Sequence, residues 1–367
     1  MKRRIIVGSV ILLVSCSLSD GLEQRAVEIN TYRGASDASA AVALTEDLFL
    51  VADDENNTLR VYKFRNEAFP VASCDLNAFL ELFPDHPEAD IEGAARVGDR
   101  VYWITSHGRN KDGKLRPNRY RFFATKVSVQ GDRIRIQPWG KPCKTLIHDL
   151  IKTRGMEHLG LREAAGLDAR ELKKNLRQRL APKREGLNIE ALCASADGKT
   201  LYIGFRNPRP IHKVRLRPGA IVIPLVNARE VIDAEKTPIF GAPMVWDLKN
   251  LGIRSMEYAP VHQAYFIIAG AHNQKRNFIL YKWSGNVNEN PVLVRPIFTQ
   301  QRDFTPEALM PLPYSEPLWI LTDDGSILME VSSPAECKEG EYKNGKCPNK
   351  FLIDPRKKYF RGTWLLP

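Results

Sequence analysis

Short apolar segments with alternating side chains recur along the chain, and turn signals separate them. The clearest set begins at residue 90, where four segments rich in β-branched and aromatic side chains follow one another at 90–97, 100–105, 120–127 and 133–136. The pairs Gly98-Asp99 and Gly131-Asp132 divide them. Such runs and turns predict antiparallel strands. Four antiparallel strands in sequence form one blade of a β-propeller, and a blade needs neighbours to cover both of its faces.

The pair of apolar segments that opens this blade recurs four more times. First-strand candidates lie at 37–42, 187–192, 253–258 and 305–309. Second-strand candidates follow them at 48–54, 201–206, 265–270 and 318–324. Outer-strand candidates lie at 220–224, 278–283 and 292–296. The pattern predicts an all-β fold, a β-propeller of five blades with six as the alternative, in one domain over residues 28–367.

Residues 144–186 have a different pattern. Leu146, Ile147, Leu150 and Ile151 recur at helical spacing, as do three later leucines, Leu172, Leu176 and Leu180. Because β-branched residues also become rare here, the segment is predicted to be a helical insertion, an amphipathic helix pair between two blades.

The net charge adds information about only one segment, residues 144–186. The chain carries a formal net charge of +11, with 43% hydrophobic and 26% charged residues, which is ordinary for a globular protein. Residues 144–186 contain eleven Lys or Arg and six Asp or Glu, a net charge of 11 − 6 = +5. The insertion is therefore either a solvated face or a face that binds an anion or a partner. A nucleic-acid partner is not expected, because no stripe of basic and aromatic residues accompanies the charge.

The first residues have the pattern of an export signal. Lys2, Arg3 and Arg4 precede an apolar run at 5–14 that is too short to span a bilayer. The sequence Leu13-Val14-Ser15-Cys16 resembles the bacterial lipobox, which implies cleavage before Cys16 and lipidation of that cysteine; an ordinary secretory signal is the alternative. Because position 17 is not aspartate, the resemblance implies an outer-membrane lipoprotein of the cell envelope. Residues 1–15 are then the signal peptide and 16–27 a polar tether.

Export implies oxidising conditions for the remaining cysteines. Five remain after Cys16, an odd number, so at least one is free or pairs between chains. Cys337 and Cys347 flank a polar excursion that contains Gly340 and Asn344-Gly345, and they are the predicted disulfide. No pair of cysteines or histidines has the spacing of a zinc site.

Several short motifs carry a family resemblance. They are Asp90-Ile91-Glu92-Gly93, Ser106-His107, Gly186-Leu187-Asn188-Ile189-Glu190-Ala191-Leu192, Gly204-Phe205-Arg206-Asn207-Pro208, Gly252-Ile253-Arg254-Ser255-Met256, Ile268-Ala269-Gly270 and Phe360-Arg361-Gly362-Thr363-Trp364. In this order they resemble the uncharacterised bacterial family known as domain of unknown function 3616. The resemblance implies a β-propeller without an established activity and, more distantly, similarity to calcium-dependent phytases and phytase-like esterases. Ala191 stands where the family motif has a second glycine.

Propeller geometry converts these motifs into a candidate site. In a blade, the first strand lines the central channel and the second runs back beside it, so the start of the first and the end of the second lie on one face. The end of the channel at this face is called the mouth. Four glutamates are predicted at the start of first strands, with Asp37 or Ser39 in the fifth blade: Glu92, Glu190, Glu257 and Glu307.

The ends of the second strands should add further polar side chains to the mouth. They are Asp53, Asp54, His107, Arg109, Arg206, Asn207, Arg209, His272, Asn273, Asp323 and Asp324. Five of these are the candidate ligands of an anion: Arg109, Arg206, Arg209, His272 and Asn273. The arginines have an alternative role as partners of the glutamates. The helical insertion joins two blades on this face and is a candidate lid.

Four carboxylates near one axis need compensation. A hard cation, with Ca²⁺ as the leading candidate, would be held by Glu92, Glu190, Glu257 and Glu307. Alternatively, arginines and backbone amides neutralise the acids, or the acids lock neighbouring blades through hydrogen bonds.

Three functions remain open. The leading hypothesis is an envelope binding module for an anionic or metal-bridged ligand at the mouth. The enzymatic alternative is a calcium-assisted phosphoester or ester hydrolase, with Glu92, Glu190 and His107 as candidate catalytic residues and Arg109 and Arg206 on the anion. The third is a scaffold for an envelope protein. Phosphate loops, dinucleotide fingerprints, nucleophile elbows and His-Glu-x-x-His motifs are absent from the sequence.

Overall fold

A computed structural model describes residues 28–168, 172–273, 276–297 and 303–367. The predicted signal peptide, Cys16 and the tether lie outside these residues. The described part of the chain forms five four-stranded antiparallel sheets around one axis, which confirms a five-bladed β-propeller and excludes the alternative of six. A two-stranded hairpin lies outside the blades.

The strands of the described residues are numbered in chain order. They are β1 (Ile29–Arg33), β2 (Ala40–Ala43), β3 (Leu48–Asp53), β4 (Asn56–Lys63), β5 (Ala72–Asp75), β6 (Ile91–Val97), β7 (Arg100–Thr105), β8 (Phe122–Gln130), β9 (Arg133–Cys143), β10 (Asn188–Ala194), β11 (Leu201–Asn207), β12 (Ala220–Leu225), β13 (Met244–Trp246), β14 (Gly252–Ala259), β15 (Ala264–Gly270), β16 (Phe278–Trp283), β17 (Val292–Pro296), β18 (Pro306–Pro311), β19 (Leu318–Thr322), β20 (Leu328–Glu330), β21 (Lys346–Pro348) and β22 (Tyr359–Leu365).

Each of the first four blades is a run of consecutive strands: β2–β5, β6–β9, β10–β13 and β14–β17. The first strands of neighbouring blades contact one another and therefore surround the axis. The fifth blade has the order β18-β19-β22-β1. Its outermost strand is thus the N-terminal strand β1, in which Ile29 pairs with Thr363 and Arg33 with Tyr359. This pairing of the two ends of the domain closes the ring, and the sequence pattern did not predict it.

Each interface between blades contains its own hydrophobic cluster, as expected for sheets that bury both faces. The cluster between the fifth and first blades is the most aromatic, and Tyr32 of β1 is fully buried in it. Its ring centroid lies 5.1 Å from those of Phe49 in the first blade and Phe360 in the fifth. Closure of the propeller is therefore sealed by side chains as well as by strand pairing.

Residues 144–186 contain short helices where the leucine spacing predicted an amphipathic pair. The helices of the described chain are α1 (Asn77–Leu80), α2 (Leu146–Leu150), α3 (Leu161–Ala165), α4 (Lys174–Arg179) and α5 (Ala228–Ala234), with 3-10 turns at Pro117–Arg119, Glu157–Leu159, Pro334–Glu336, Asn349–Phe351 and Pro355–Lys357. α2 and α3 pack into the cluster between the second and third blades, whereas α4 buries no residue. The second half of the predicted pair forms a helix, but a short one without a buried face, since Leu172 precedes α4 and Leu176 is exposed. No described helix is long and apolar enough to cross a bilayer.

The segment between β19 and β22, called the excursion, lies on the mouth side of the fifth blade. Its hairpin, β20 and β21, carries a disulfide between Cys337 and Cys347, with sulfur atoms 2.00 Å apart. The cysteines pack with Leu352 in a small separate cluster. Lys350 of the same excursion donates to Glu55 Oε1 at 2.5 Å, which fastens the excursion to the first blade.

Candidate functional site

The same irregularity occurs near the start of four inner strands. In β6, β10, β14 and β18 the pairing skips one residue, which forms a β-bulge. A bulge leaves its extra residue outside the ladder and redirects the side chain. The skipped residues are Glu92, Glu190, Arg254 and Glu307. The bulges therefore turn one charged side chain from each of these blades towards the mouth.

The prediction for the fourth blade was wrong. Glu257 was placed at the start of its first strand, but β14 begins at Gly252 and the bulged residue is Arg254. Glu257 lies three residues further along the strand, where it lines a partly open cavity of about 10 Å³ between the inner strands, with room for about one water molecule. Glu92 and Glu190 line the same cavity from neighbouring strands. Burial raises the pKa of Glu257 well above its usual range. It belongs to the interior of the channel and not to the mouth.

Arg254 lies between two of the glutamates. Its Nη1 is 2.8 Å from Glu190 Oε2, and its Nη2 contacts Glu307 Oε1. Arg206 Nη1 approaches Glu190 Oε1 at 2.7 Å. All four side chains are buried. Glu190 is thus paired with two guanidinium groups, as in the interpretation in which arginines neutralise the acids. Its Oε2 meets Arg254 as an ion pair without the geometry of a hydrogen bond.

Two other sets of carboxylates lie close together at the mouth. In the Asp37 group, one oxygen each of Asp37, Glu307 and Asp323 lies within 4.8 Å of the others. In the Asp54 group, the same holds for Asp54, Asp90 and Glu92. The Asp37 group forms because Asp37, three positions before β2, pairs in an isolated bridge with Asp323, the residue after β19. Bulges in β6 and β18 then bring Glu92 and Glu307 to the two groups.

Some of these oxygens lack any partner. Asp37 Oδ1, Glu307 Oε2 and Asp54 Oδ1 are buried, and no described atom hydrogen-bonds to them. Asp37 is 3% exposed and Glu307 6% exposed. A buried carboxylate oxygen without a donor is costly unless it is protonated or contacts a cation. The mouth therefore contains acceptors that protein donors leave unused.

The pKa values of these carboxyl groups are raised, as expected for buried acids that lie close together. Burial, followed by the charges of Asp323 and Asp54, raises the pKa of Asp37 well above its usual range. Burial is also the main cause for Glu307, whose pKa is raised to about 7 although Arg254 acts in the opposite direction. The pKa values of Asp54 and Glu92 are raised by burial and by neighbouring carboxylates. Asp37, Glu307, Asp54 and Glu92 thus hold protons more strongly than ordinary carboxylates, and a bound cation would compete with those protons.

Cationic side chains stand at the rim of the two groups. Arg119 Nη1 is 2.7 Å from Asp90 Oδ2 and also contacts Glu88. Burial acts to lower the pKa of Lys350, but Glu55 and Asp54 raise it above its ordinary value. Sequence reasoning missed both cations, because Arg119 ends a 3-10 turn and Lys350 lies in the disulfide excursion, far from any predicted strand end.

The other predicted site residues have different surroundings. His107 is fully buried; its Nδ1 lies 2.8 Å from Thr105 O, and its Nε2 has no partner among the described residues. Burial lowers its pKa to about 4, and the charges acting on it are those of Arg121 and His148. His107 therefore packs inside the second blade as a neutral side chain, away from the acidic groups.

The remaining arginines mainly bind backbone oxygens. Arg109 donates to Gly113 O at 3.1 Å and to Gly166 O at 2.6 Å, which fastens the helical insertion to the second blade. Arg209 donates to Asn250 O at 2.6 Å. Arg206 reaches Asn273 O at 3.3 Å, so the loop that contains His272 and Asn273 lies beside it on the mouth face.

The chain is similar to one family model and to several solved structures. The family model described as "Protein of unknown function (DUF3616)" matches residues 37–131, which cover the first blade and most of the second. None of the curated proteins compared by sequence matches the chain. Similar solved structures include a glutaminyl cyclase from Myxococcus xanthus, with 10% identity, coverage of 80% of this chain and 89% of that one, and a TM-score of 0.42. A putative oxidoreductase (glucose dehydrogenase) from Thermus thermophilus has 9% identity, coverage of 92% and 100%, and a TM-score of 0.42.

Proposed function

We propose that the protein is a binding module that holds a divalent cation, with Ca²⁺ as the leading candidate, in the Asp37 group and an anionic ligand through that cation. One observation carries the proposal: Asp37 Oδ1 and Glu307 Oε2 are buried, lack a donor and belong to one group whose oxygens lie within 4.8 Å. Hard cations take oxygen ligands, and carboxylates are their main protein ligands. A cation would supply the missing partner for both oxygens.

The contrast with Glu190 supports this choice of site. Glu190 is paired with Arg206 and Arg254, so its charge is already balanced by protein groups. The Asp37 group has only Arg254 at Glu307, and no cationic side chain of the described chain forms an ion pair with Asp37. The metal ligands therefore differ from the predicted set: Glu307 and Glu92 remain candidates, whereas Glu190 and Glu257 are replaced by Asp37 and Asp323.

The anionic ligand is supported by the chemistry of the cation. Ca²⁺ takes six to eight oxygen ligands, more than three carboxylates usually provide, and the balance comes from water or from a phosphate or carboxylate of a ligand. Lys350 and Arg119 at the rim would add positive charge beside such a group. Inorganic phosphate and small dicarboxylates are suitable first probes.

Calorimetric titration of the chelator-treated chain with CaCl₂ tests the proposal. We expect saturable binding that releases protons, and a thermal stabilisation of about 5 °C at a hundredfold excess over Kd. Asp37→Asn with Glu307→Gln should abolish both effects. Glu257→Gln is the matched control, because Glu257 is a buried acid outside both groups. Equal binding by the double variant and the control would place the cation elsewhere.

Metal-assisted hydrolysis is the second candidate, and the Asp54 group favours it. The pKa of Asp54 is raised in part by Asp323 of the Asp37 group, so the two groups are neighbours. Adjacent cations are used by many hydrolases to activate water and bind a phosphoryl oxygen. A panel of phosphate monoesters and carboxylic esters, assayed with Ca²⁺ and with chelator, tests this candidate. Chelator-sensitive turnover that is lost in Asp54→Asn supports hydrolysis, and no turnover on either class of ester rejects it.

We also propose export and anchoring through Cys16. The disulfide between Cys337 and Cys347 supports export, since such bonds persist in oxidising compartments. Labelling of cells with radioactive palmitate should mark the protein and not its Cys16→Ser variant. Equal labelling of both would reject the lipid anchor, and fractionation of the membranes would test the outer-membrane assignment.

A further inference from the structure

The loop between β11 and β12 exposes an unusual amount of apolar surface. Ile211 is 60% exposed, Val214 79% and Leu216 77%. All three lie within six consecutive residues, where cations alternate with them in the order Ile211-His212-Lys213-Val214-Arg215-Leu216-Arg217. Isolated exposed apolar side chains are common on soluble proteins, but a cluster at the tip of one loop marks an interaction surface.

The loop is ordered by its own hydrogen bonds. Leu216 N donates to His212 O at 2.9 Å, and His212 N donates to Arg217 O at 2.8 Å. The His212 ring also accepts from Arg215 N at 3.1 Å. At the base, Arg217 Nε donates to Asp247 Oδ1 at 2.7 Å. The apolar side chains are therefore held outward by a compact turn and do not result from an unfolded segment.

Leu216 also has strained backbone. Its φ is +52°, in the left-handed region that a leucine rarely adopts. Such a conformation persists where the surroundings impose it, and it is often found at functional positions. Here it directs a large apolar side chain into solvent, so the packing of that side chain does not offset the backbone strain in the isolated chain.

The position of the loop connects it with the mouth. β11 ends at Asn207, which pairs with Asn188 at the start of β10, so the loop leaves the blade on the mouth face. Arg206, one residue earlier, contacts Glu190. The loop therefore lies on the mouth face, and its Arg217 pairs with Asp247, the residue after the outermost strand β13. A surface that the loop contacts would lie on the same side of the propeller as the mouth.

Charge indicates the chemistry of the partner. The loop contributes Arg209, Lys213, Arg215 and Arg217, and the only carboxylate paired with them among the described residues is Asp247, which leaves 4 − 1 = +3. Lys213 forms no ion pair within the described chain. Apolar tips flanked by cations match the interface of an anionic bilayer, in which side chains enter the acyl region and cations contact lipid phosphates.

We propose that this loop docks the mouth face onto an anionic lipid membrane. The membrane is inferred from the loop alone and requires neither a cation at the mouth nor an acyl chain on Cys16. A protein partner with an acidic groove is the competing occupant, and the test below distinguishes it.

Vesicle flotation measures the docking. All samples carry Cys16→Ser, so that no acyl chain is attached, and contain chelator, so that the proposed cation site is empty. Vesicles of phosphatidylglycerol and phosphatidylcholine are compared with phosphatidylcholine alone. We expect binding to the anionic vesicles to be at least about tenfold stronger. Residues 1–27 are the same in every sample, so differences among variants report on the loop.

Val214→Asp with Leu216→Asp is the test variant, and Val287→Asp with Val292→Asp is its control. Val287 and Val292 are 59% and 70% exposed, and they lie near the β16–β17 turn, at the end of the fourth blade opposite the mouth. The loop variant should bind anionic vesicles at least about tenfold more weakly, because two apolar anchors are replaced by repelled charges, and the control should bind like the parent. Unchanged melting temperatures establish that both variants fold.

Two results would overturn the proposal. If the loop variant and the control bind anionic vesicles equally well, any membrane contact lies elsewhere on the molecule. If the parent binds neither type of vesicle, the loop does not dock on lipid, and an acidic protein partner becomes the better explanation of its exposed side chains.

Discussion

Arg254 Nη1 lies 2.8 Å from Glu190 Oε2, and the two residues occupy equivalent bulges of neighbouring inner strands. The fourth blade thus presents a cation at the position where three other blades present a glutamate. The other terminal nitrogen of Arg254, Nη2, contacts Glu307, so this one arginine joins the third, fourth and fifth blades. The mouth thus has one side where Glu190 is paired with two arginines, and another side, the Asp37 group, where Arg254 pairs with Glu307 alone.

Arg254→Met should therefore destabilise the propeller strongly. It removes the shared partner of two buried carboxylates, and breaking a buried ion pair in this way costs about 3–5 kcal/mol. Urea unfolding measures the loss. Arg229→Met is the control: Arg229 is exposed and pairs with Asp233 at the surface, and its replacement should cost less than about 1 kcal/mol. Equal costs would show that Arg254 does not hold the blades together.

The stability of the chelator-treated chain should fall as pH rises from 6.5 to 8. The pKa of Glu307 is raised to about 7 and those of Asp37, Asp54 and Glu92 are also raised, so the folded chain binds more protons than the unfolded one. Stability from such groups is present at low pH and is lost as they ionise. His107 acts in the opposite direction, because its pKa is lowered to about 4, but most of its effect on stability falls below pH 6.5.

Differential scanning calorimetry in this window should show a fall in Tm on the order of 5 °C. Glu307→Gln should reduce the slope, since the amide cannot ionise. Added Ca²⁺ should stabilise more at pH 8 than at pH 6.5, because fewer protons must be displaced. A Tm that rises across this window in chelator would contradict the raised pKa values.

Tyr32→Ala tests the closure of the ring. Tyr32 is fully buried between the first and fifth blades, and loss of such an aromatic side chain costs about 3–5 kcal/mol. Tyr314→Ala is the matched control, because Tyr314 is 84% exposed and its loss should change the free energy of unfolding by less than about 0.5 kcal/mol. Similar values for both variants would mean that β1 adds little to stability.

The disulfide should order the excursion and not the blades. Cys337 and Cys347 are separated by ten positions, and closing a loop of this size contributes about 2–3 kcal/mol. In Cys337→Ser with Cys347→Ser, amide hydrogens of residues 328–348 should exchange faster, with little change in the blades. Cys74→Ser, which removes a free thiol, is the control. Unchanged exchange in the double variant would mean that the packing of Leu352 alone orders the segment.

Most blade strands could be predicted because their alternation is local. β7, β11 and β16 cover their predicted ranges within a few residues, since apolar side chains on alternate positions require a sheet that covers both faces. The closure by β1 was missed, because Ile29–Arg33 carries mixed polarity and its partner lies more than 300 residues away. Pairing at that separation depends on the completed ring, which no local pattern describes.

The sequence predicted which face of the propeller carries the candidate site, but not which side chains pair with one another there. Placing Asp37, Asp54 and Asp323 on the mouth face followed from strand direction, and the structure brings them to that face. Glu257 was misassigned because β14 begins at Gly252, which puts Arg254 and not Glu257 at the bulge near the mouth. Which carboxylates remain unpaired depends on the bulges, on Arg119 and on the excursion with Lys350. These features arise from contacts between segments far apart in sequence, so no local pattern predicts them.

The most direct test of the central claim is the anomalous scattering of calcium in a crystal of the protein grown with CaCl₂. A peak about 2.3–2.6 Å from carboxylate oxygens of Asp37, Glu307 and Asp323 is the predicted result. Two observations together would contradict the account. At millimolar calcium no anomalous peak would appear at the mouth, and Asp37 Oδ1 and Glu307 Oε2 would instead accept hydrogen bonds from protein donors or share a proton with each other.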